Sequence, residues 1–541
     1  VTPWLQPYDP LHQAVESTLV AALPILFFIV TLAIFRWRLY GAAAGTLLLA
    51  VILAVTVYGM PVASVAAAAL YGFSYGLWPI SWIIVGVVFL YRLTVRSGHF
   101  EVVRASIASI TPDARLQMIL IGFAFSAFLE GAAGYGTPVA ITAALLVGLG
   151  FDPLRAAVLC LITNTAPVAF GAMGTSITAA AQVSHTDLTA LTAIAGRQLP
   201  LLSLLSLGWV TVALAGWRGT RDIWPALLVA GASFAGTMMA TALWGGPQLP
   251  TIMASLVCMT SLVILLRFWH PATILRPETA ARRKSSVDLP RLGARHVARA
   301  WLPFGLLTIC MVVWGSKGFQ SWFAPGGPLS KTTLWLEVPF LHGVIYKTTP
   351  VVDGLEWYPA VFRFDVLGAV GTGIFLAVLL SAIGLRWQPK FVLDVFAETC
   401  TRLWPTVLAI GLVLALATVS SYSGMSATLA LALAKSGKVY PLVAPVLGWF
   451  GVFLTGSDTA SNVLFAPLQA TVAHQIGVPD TLLVSANMLG GAAGKMISPQ
   501  SIAVACGAVG LTGREALVLR ATLRVSAVFA VIAGLAIVLQ S

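Results

Sequence analysis

The sequence predicts an all-α polytopic membrane protein built from inverted repeats, with broken or re-entrant helices. Three observations predict it: long apolar runs nearly free of charge, a motif series that recurs at almost constant spacing, and Gly- and Pro-rich breaks that hold isolated charges. Of the 541 residues, 58% are hydrophobic and 9% charged, and the mean hydropathy is +0.92. A soluble domain carries roughly 25% charged residues. A bilayer core about 30 Å thick needs about 20 apolar residues per helix. The runs are long and continuously apolar, which favours helices over the short alternating strands of a barrel.

Candidate spans lie near 15–35, 40–58, 77–92, 116–131, 138–150, 154–170, 199–215, 223–243, 250–267, 299–315, 360–385, 403–421, 441–455, 462–476, 481–505 and 517–539. Several are too short or Gly-rich to be plain crossings, so 12–14 crossings with broken pieces are expected. The first run lacks a basic flank and cleavage site and reads as a retained helix.

The net charge of +12 reads as topology, not nucleic-acid binding. Arg36 and Arg38, then Arg92, Arg96, Arg104 and Arg115, then the loop 267–299 with Arg282, Arg283, Lys284 and Arg291, mark three cytoplasmic loops. The polar segment 316–359 and the amino terminus fall outside. The five cysteines form no C-x-x-C pair, so neither a metal site nor a disulfide framework is expected. No P-loop, G-x-S-x-G or H-E-x-x-H occurs. An enzyme and a cofactor are therefore not expected, and any driving force would come from an ion gradient.

The repeat pairs Leu77-Trp78-Pro79 with Leu403-Trp404-Pro405, and Ser97-Gly98 with Ser423-Gly424, both at an offset of 326. Phe128-Leu129-Glu130-Gly131 matches Phe453-Leu454-Thr455-Gly456, and Asn164 matches Asn487. The basic loops send 77–92 inward and 403–421 outward, so the repeats are inverted. The expected division is a first half over 1–266 with its core at 77–215, a connecting region over 267–359, and a second half over 360–541 with its core at 403–541. Such architecture belongs to secondary transporters, with the substrate held at discontinuous helices.

An ionisable residue inside a span is a functional candidate by default. Glu130 and Asp458 are such acids, each in a segment of Gly, Pro or small polar residues at equivalent places in the repeats. Breaks expose backbone groups, and a half-helix N-terminus favours an anion such as a carboxylate. Either acid is a candidate for carrying a coupling proton. Asp458 could instead cap the following half-helix. Lys495, an isolated cation, could pair with a substrate carboxylate or with Asp458, or snorkel to the surface. Asn164, Thr165, Ser461, Asn462, Asn487, Ser498 and Gln500 are candidate polar ligands, although small polar residues also join helices. Asp365 reads as a helix-start acid and His474 as structural.

These segments resemble the L-lactate permease family, which includes glycolate permeases. The likeness runs from Trp4-Leu5-Gln6-Pro7-Tyr8-Asp9-Pro10 through Ser109-Ile110-Thr111-Pro112-Asp113 and Phe128-Leu129-Glu130-Gly131. It continues in Asn164-Thr165-Ala166-Pro167-Val168-Ala169-Phe170-Gly171, Thr455-Gly456-Ser457-Asp458 and Gly494-Lys495-Met496-Ile497-Ser498-Pro499-Gln500-Ser501. The resemblance implies symport of lactate or glycolate with a proton across a bacterial inner membrane, in the lipid bilayer and without nucleic acid. Homodimers occur among wider relatives. The family usually reads Gly-Phe-Gly-Ala-Pro at Gly134-Tyr135-Gly136-Thr137-Pro138, and Gly-Ile-Pro-Ile at Gly174-Thr175-Ser176-Ile177. It also usually has small polar residues where Met488-Leu489 stand. The first departure adds Tyr135 and Thr137 as candidate substrate ligands. A sodium-coupled carboxylate carrier is the alternative reading.

Overall fold

The computed structural model describes residues 3–132, 134, 137–165, 167–277 and 293–541. Strand β1 (Trp4–Leu5) precedes α1 (Ala14–Ala33), α2 (Leu39–Thr56), α3 (Val62–Arg96), α4 (His99–Ala108), α5 (Ala114–Ala132), α6 (Thr137–Gly148), α7 (Pro153–Thr163), α8 (Gly171–Ser184) and α9 (Leu188–Asp222). The hairpin α10 (Trp224–Trp244) and α11 (Pro250–Phe268) leads to α12 (Ala294–Gly315). Four short strands follow: β2 (Thr333–Glu337), β3 (Ile345–Lys347), β4 (Glu356–Trp357) and β5 (Val361–Asp365). The chain ends with α13 (Val370–Leu385), α14 (Pro389–Ser423), α15 (Met425–Ala434), α16 (Tyr440–Thr455), α17 (Asp458–Ile476), α18 (Asp480–Lys495), α19 (Pro499–Val509) and α20 (Glu515–Val538).

Among the described residues eleven helices are long and apolar enough to cross a membrane, or twelve if the bent pair α7–α8 counts as one. The protein is a helical multi-pass membrane protein. Its strands form only a small cover on one face. β1 pairs parallel with β3, and β2 pairs antiparallel with β5. The amino-terminal segment therefore shares a face with 316–369, opposite the loops of Arg38 and Arg92, as the charge pattern requires. Arg282, Arg283, Lys284 and Arg291 lie outside the described residues.

Several expected boundaries move. The run at 77–92 is the second part of α3, which begins at Val62. Tyr71, Gly72, Ser74 and Tyr75 dilute the apolar signal there, and Trp78, extended at φ −134° and ψ 124°, breaks the helix. The run at 360–385 splits, because 361–365 is strand β5 and α13 starts only at Val370. Asp365 is thus not a helix-start acid: it closes β5, accepting from the Gly368 N–H (2.7 Å) and from Arg363 (2.8 Å). The run at 481–505 divides at 496–498 into α18 and α19.

The repeat is visible element by element. α3 and α14 each span 35 residues. Each ends at a left-handed glycine, Gly98 (φ 78°) or Gly424 (φ 92°), leading into a 10-residue helix. Only glycine takes that turn without steric cost. Cross-repeat packing comes in matched pairs: α6 meets α19 as α17 meets α8, and α7 meets α20 as α18 meets α9. Likewise α2 packs on α14 as α13 packs on α3, and α1 on α15 as α12 on α4.

The direction of the repeats follows from the contact between α3 and α14. A methyl on Gly72 would strike the Leu414 carbonyl, and one on Gly76 the backbone of Gly411. Further along, Arg92 and Arg96 pair with Glu398, the latter at 2.8 Å. Later residues of α3 thus face earlier residues of α14. Two equivalent helices running antiparallel make the repeats inverted. Where the helices cross, the glycines let the backbones touch, the usual way helices associate without a hydrophobic drive between them. At the basic face the Asp113 carboxylate accepts from the N–H groups of Arg115 and Leu275 and from the buried Arg115 guanidinium (2.8 Å), fixing the start of α5.

Candidate functional site

The starts of α8, α17 and α19 meet the ends of α5, α16 and α18 in mid-protein. Gly456 (φ 67°) ends α16, and Ser457 caps α17 by accepting the Ala460 N–H at 3.2 Å. Ser498 caps α19 in the same way, accepting the Ser501 N–H at 3.2 Å. The start of α8 is more strained. Ala172, Met173 and Gly174 take φ of 43°, 58° and 69° in succession before the regular turns from Thr175. Left-handed backbone costs an L-residue roughly 1–2 kcal/mol, and strain of this kind gathers at functional sites.

These ends surround a cavity of about 480 Å³. Ser457, Thr459, Gln500, Ser501, Thr175 and Ser176 line it beside Glu130, Asp458 and Lys495. Its mouth holds Arg38, Leu39 and Tyr40 at the start of α2, and α14 from Pro405 to Val413 forms the opposite wall. It therefore opens toward the basic face.

Glu130 lies in the last turn of α5 and is only 4% exposed. Its Oε2 accepts from the Asn164 amide at 3.0 Å. Gly171 leaves room for the other oxygen, since a Cβ there would stand 2.8 Å from Oε1. Asp458 is 5% exposed in the first turn of α17. Its Oδ2 accepts from the Ser176 hydroxyl (2.6 Å) and the Asn462 amide (3.1 Å). Asn487 in turn donates to the Asn462 carbonyl oxygen at 2.7 Å. Oδ1 of Asp458 has no hydrogen-bond partner among the described atoms, and Gly491 lies against it. Lys495 donates to the Gly456 carbonyl at 2.8 Å and forms no ion pair among the described residues.

Of the residues singled out in the sequence, Glu130, Asp458, Lys495 and Gln500 line the cavity. Asn164 and Asn462 stand behind the wall, each donating its amide N–H to one of the two acids, and Asn487 donates to Asn462. Three others serve the backbone. Thr165 points to the Leu161 carbonyl (3.5 Å), Ser461 to the Gly448 carbonyl (3.3 Å), and Ser498 caps α19. Asp458 is not the cap of α17; Ser457 is. Lys495 does not pair with Asp458. Tyr135 lies outside the described residues, as does the side chain of Thr137. Sequence reasoning missed Ser176, although the unusual Gly174-Thr175-Ser176 stretch pointed to hydroxyls beside the site. It also missed the mouth residues Arg38 and Tyr40, whose only signal was charge near a helix start.

The chemistry follows from these contacts. Helix N-termini present N–H donors and partial positive charge, and Lys495 adds an ammonium without an acid partner. A small anion such as a carboxylate fits such a set.

The model of the L-lactate permease family matches residues 17–541. The chain is 49% identical over 540 residues to the L-lactate permease of Escherichia coli (strain K12), covering 99% of this chain and 98% of that protein. It is 50% identical over 552 residues to the Glycolate permease GlcA of the same organism, with the same coverage of each. The L-lactate permease of Bacillus subtilis (strain 168) is 44% identical, over 96% of this chain and 95% of its own. Among solved structures, Neisseria gonorrhoeae MtrF is similar at 14% identity and a TM-score of 0.48, over 88% of this chain and 83% of its own. The matched blocks include the segments that carry Glu130, Asp458 and Lys495, and the chain belongs to the L-lactate permease family.

Proposed function

We propose that the chain is a secondary transporter that brings lactate, and the smaller glycolate, across the bacterial inner membrane together with a proton. The observation that carries this reading is one cavity holding two buried acids and one ammonium. With one acid ionised, the empty cavity is neutral. An entering carboxylate adds one negative charge, which is costly where water is scarce. Taking up one proton on the acid that is still ionised restores neutrality, so anion and proton enter together. Lys495 and the starts of α17 and α19 hold the carboxylate, while the free Oδ1 of Asp458 accepts from the 2-hydroxyl. Relatives named for lactate and for glycolate stand at nearly equal identity. The two acids differ by one methyl, which a hydrophobic wall discriminates only weakly.

The test is uptake into liposomes by the purified protein under a pH gradient without sodium. Accumulation of lactate is expected. Glu130→Gln should still exchange internal for external lactate yet lose pH-driven accumulation. If only a sodium gradient drives uptake, or if Glu130→Gln accumulates like the parent, proton coupling through Glu130 is wrong.

A further inference from the structure

The inverted repeat carries an inference about the other face of the protein. The inner cavity is walled on one side by the start of α2 and by α14 from Pro405 through Ala409. The repeat relates α2 to α13 and α14 to α3. It therefore demands a second hollow walled by the start of α13 and by α3 from Pro79 through Ile83. Such a hollow exists. A cavity of about 390 Å³ is lined by Val370, Pro79 and Ile83, together with Thr178 of α8. Pro79 and Pro405 are 326 residues apart, as are Ile83 and Ala409.

The two cavities lie on opposite faces and share α8 as a partition. Thr175 and Ser176 line the inner one, and Thr178 and Gln182 the outer one. The strained start of α8 rests on the α10–α11 turn, where a methyl on Gly174 would strike the Pro247 carbonyl. Each cavity also holds one arginine just ahead of its mouth helix: Arg38 before α2, and Arg363 before α13. Arg363 uses one nitrogen on Asp365 (2.8 Å) and lies over the Trp335 ring at 5.4 Å. Its Nε is buried with no hydrogen-bond partner among the described residues. Arg363 lines this cavity, and a guanidinium in a confined space suits a carboxylate.

We infer that this outer cavity is a second carboxylate site, the station at which the short hydroxy acid is taken up from the strand-covered face, with Arg363 as its cation. The inference rests on the transport reading above and adds residues that reading does not use. The substrate meets Arg363 and the Pro79–Ile83 wall first, and the Pro405–Ala409 wall and Arg38 last.

Membrane vesicles of the two orientations test it, with lactate as the probe. Arg363→Gln should raise KM about tenfold or more for lactate presented at the strand-covered face, the worth of one charged hydrogen bond. KM for lactate presented at the basic face should change less than about twofold on the same scale. An equal change on both faces marks a structural role and overturns the inference, as does no change. A second measurement covers misfolding of that loop. Thr178→Cys, with Cys400 replaced by Ser, should react with a membrane-impermeant maleimide from the strand-covered face, and lactate should slow the reaction severalfold. No labelling, or labelling indifferent to lactate in vesicles that transport it, overturns the outer site alone. Parent vesicles that fail to transport lactate overturn the transport reading and this inference with it.

Discussion

The two repeats share a fold but approach the inner cavity in opposite electrostatic settings. The first brings an acid at the end of a helix, Glu130 in the last turn of α5. The second brings Asp458 at the start of one, the first turn of α17, and adds Lys495 at the end of α18. At the place equivalent to Glu130 stands Thr455, whose hydroxyl donates back to the Gly451 carbonyl at 2.8 Å. Symmetry thus builds the path, with matched helices and matched breaks. The side chains that break the symmetry are the charged ones of the inner cavity, to which the proposed mechanism gives the chemistry. A dipole end favours a charge of opposite sign and opposes one of like sign, so the two acids are not interchangeable.

The sharpest way to break this comparison is to remove the residue with no counterpart. Lys495 is buried, and among the described residues its acceptor is a single carbonyl. An ammonium held so sparsely is costly in a water-poor site unless an anion joins it. Lys495→Met should lower the initial rate of lactate uptake by about 100-fold or more, the scale of losing a buried charge pair. Rates in liposomes check this. A variant that transports within a few-fold of the parent would remove the ammonium from the mechanism.

Next come two glycines that play the same part in the two halves. Gly491 makes room for Asp458, and Gly171 for Glu130. Alanine at either position pushes a methyl into a carboxyl oxygen, and forced overpacking costs about 1–3 kcal/mol. The collision at Gly491 is the closer one, and it strikes the oxygen assigned to the substrate hydroxyl. Gly491→Ala should therefore raise KM for lactate more than Gly171→Ala does, while Gly171→Ala should show its effect in pH-driven accumulation. Paired uptake and exchange assays separate the two.

The amides give a smaller effect with its own asymmetry. Asn164 touches Glu130 directly at 3.0 Å, whereas Asn487 reaches Asp458 only through Asn462. Asn164→Ala should cost about tenfold in transport, the size of one hydrogen bond to a charged group, and Asn487→Ala only a few-fold. If Asn487 proves the more sensitive, it has a role beyond holding Asn462.

Much of this was legible in the sequence, and the failures have physical causes. Glu130, Asp458 and Lys495 stood out because charge in an apolar run is rare and expensive. The inverted repeat stood out because the Ser-Gly pairs fall at a joint the fold reuses and Trp-Pro recurs at the same offset, although only Trp78 breaks its helix. What stayed hidden was direction. Asn164, Asn462 and Ser461 look alike as small polar residues in helices, yet only the packed structure shows that the first two hold acids and the third a carbonyl. Ser457 and Asp458 are both good cap residues, and the backbone turn at Gly456 decides between them. The start of α3 was missed because glycines and tyrosines there serve the contact with α14, which weakens hydropathy where the packing is tightest.

That contact supplies the smallest effect and sets packing against charge. α3 and α14 are held by close backbone approach at Gly72 and Gly76, and at their far ends by Glu398 with Arg92 and Arg96, while Arg402 pairs with Glu398 within α14. Arg96 is about half exposed, with its side chain 48% accessible, and Glu398 keeps two other arginines when it is gone. Solvent-exposed pairs of this kind contribute little. Gly76→Ala should lower the thermal unfolding temperature of the detergent-solubilised protein clearly, because the Gly411 backbone cannot yield to a methyl. Arg96→Ala should leave it nearly unchanged, and added salt should not enlarge the difference. A large destabilisation by Arg96→Ala would mean that the antiparallel seam between the repeats is held by its ionic end rather than by the glycine crossing. The axis about which the two halves are related would then be fixed from the membrane surface, not from its centre.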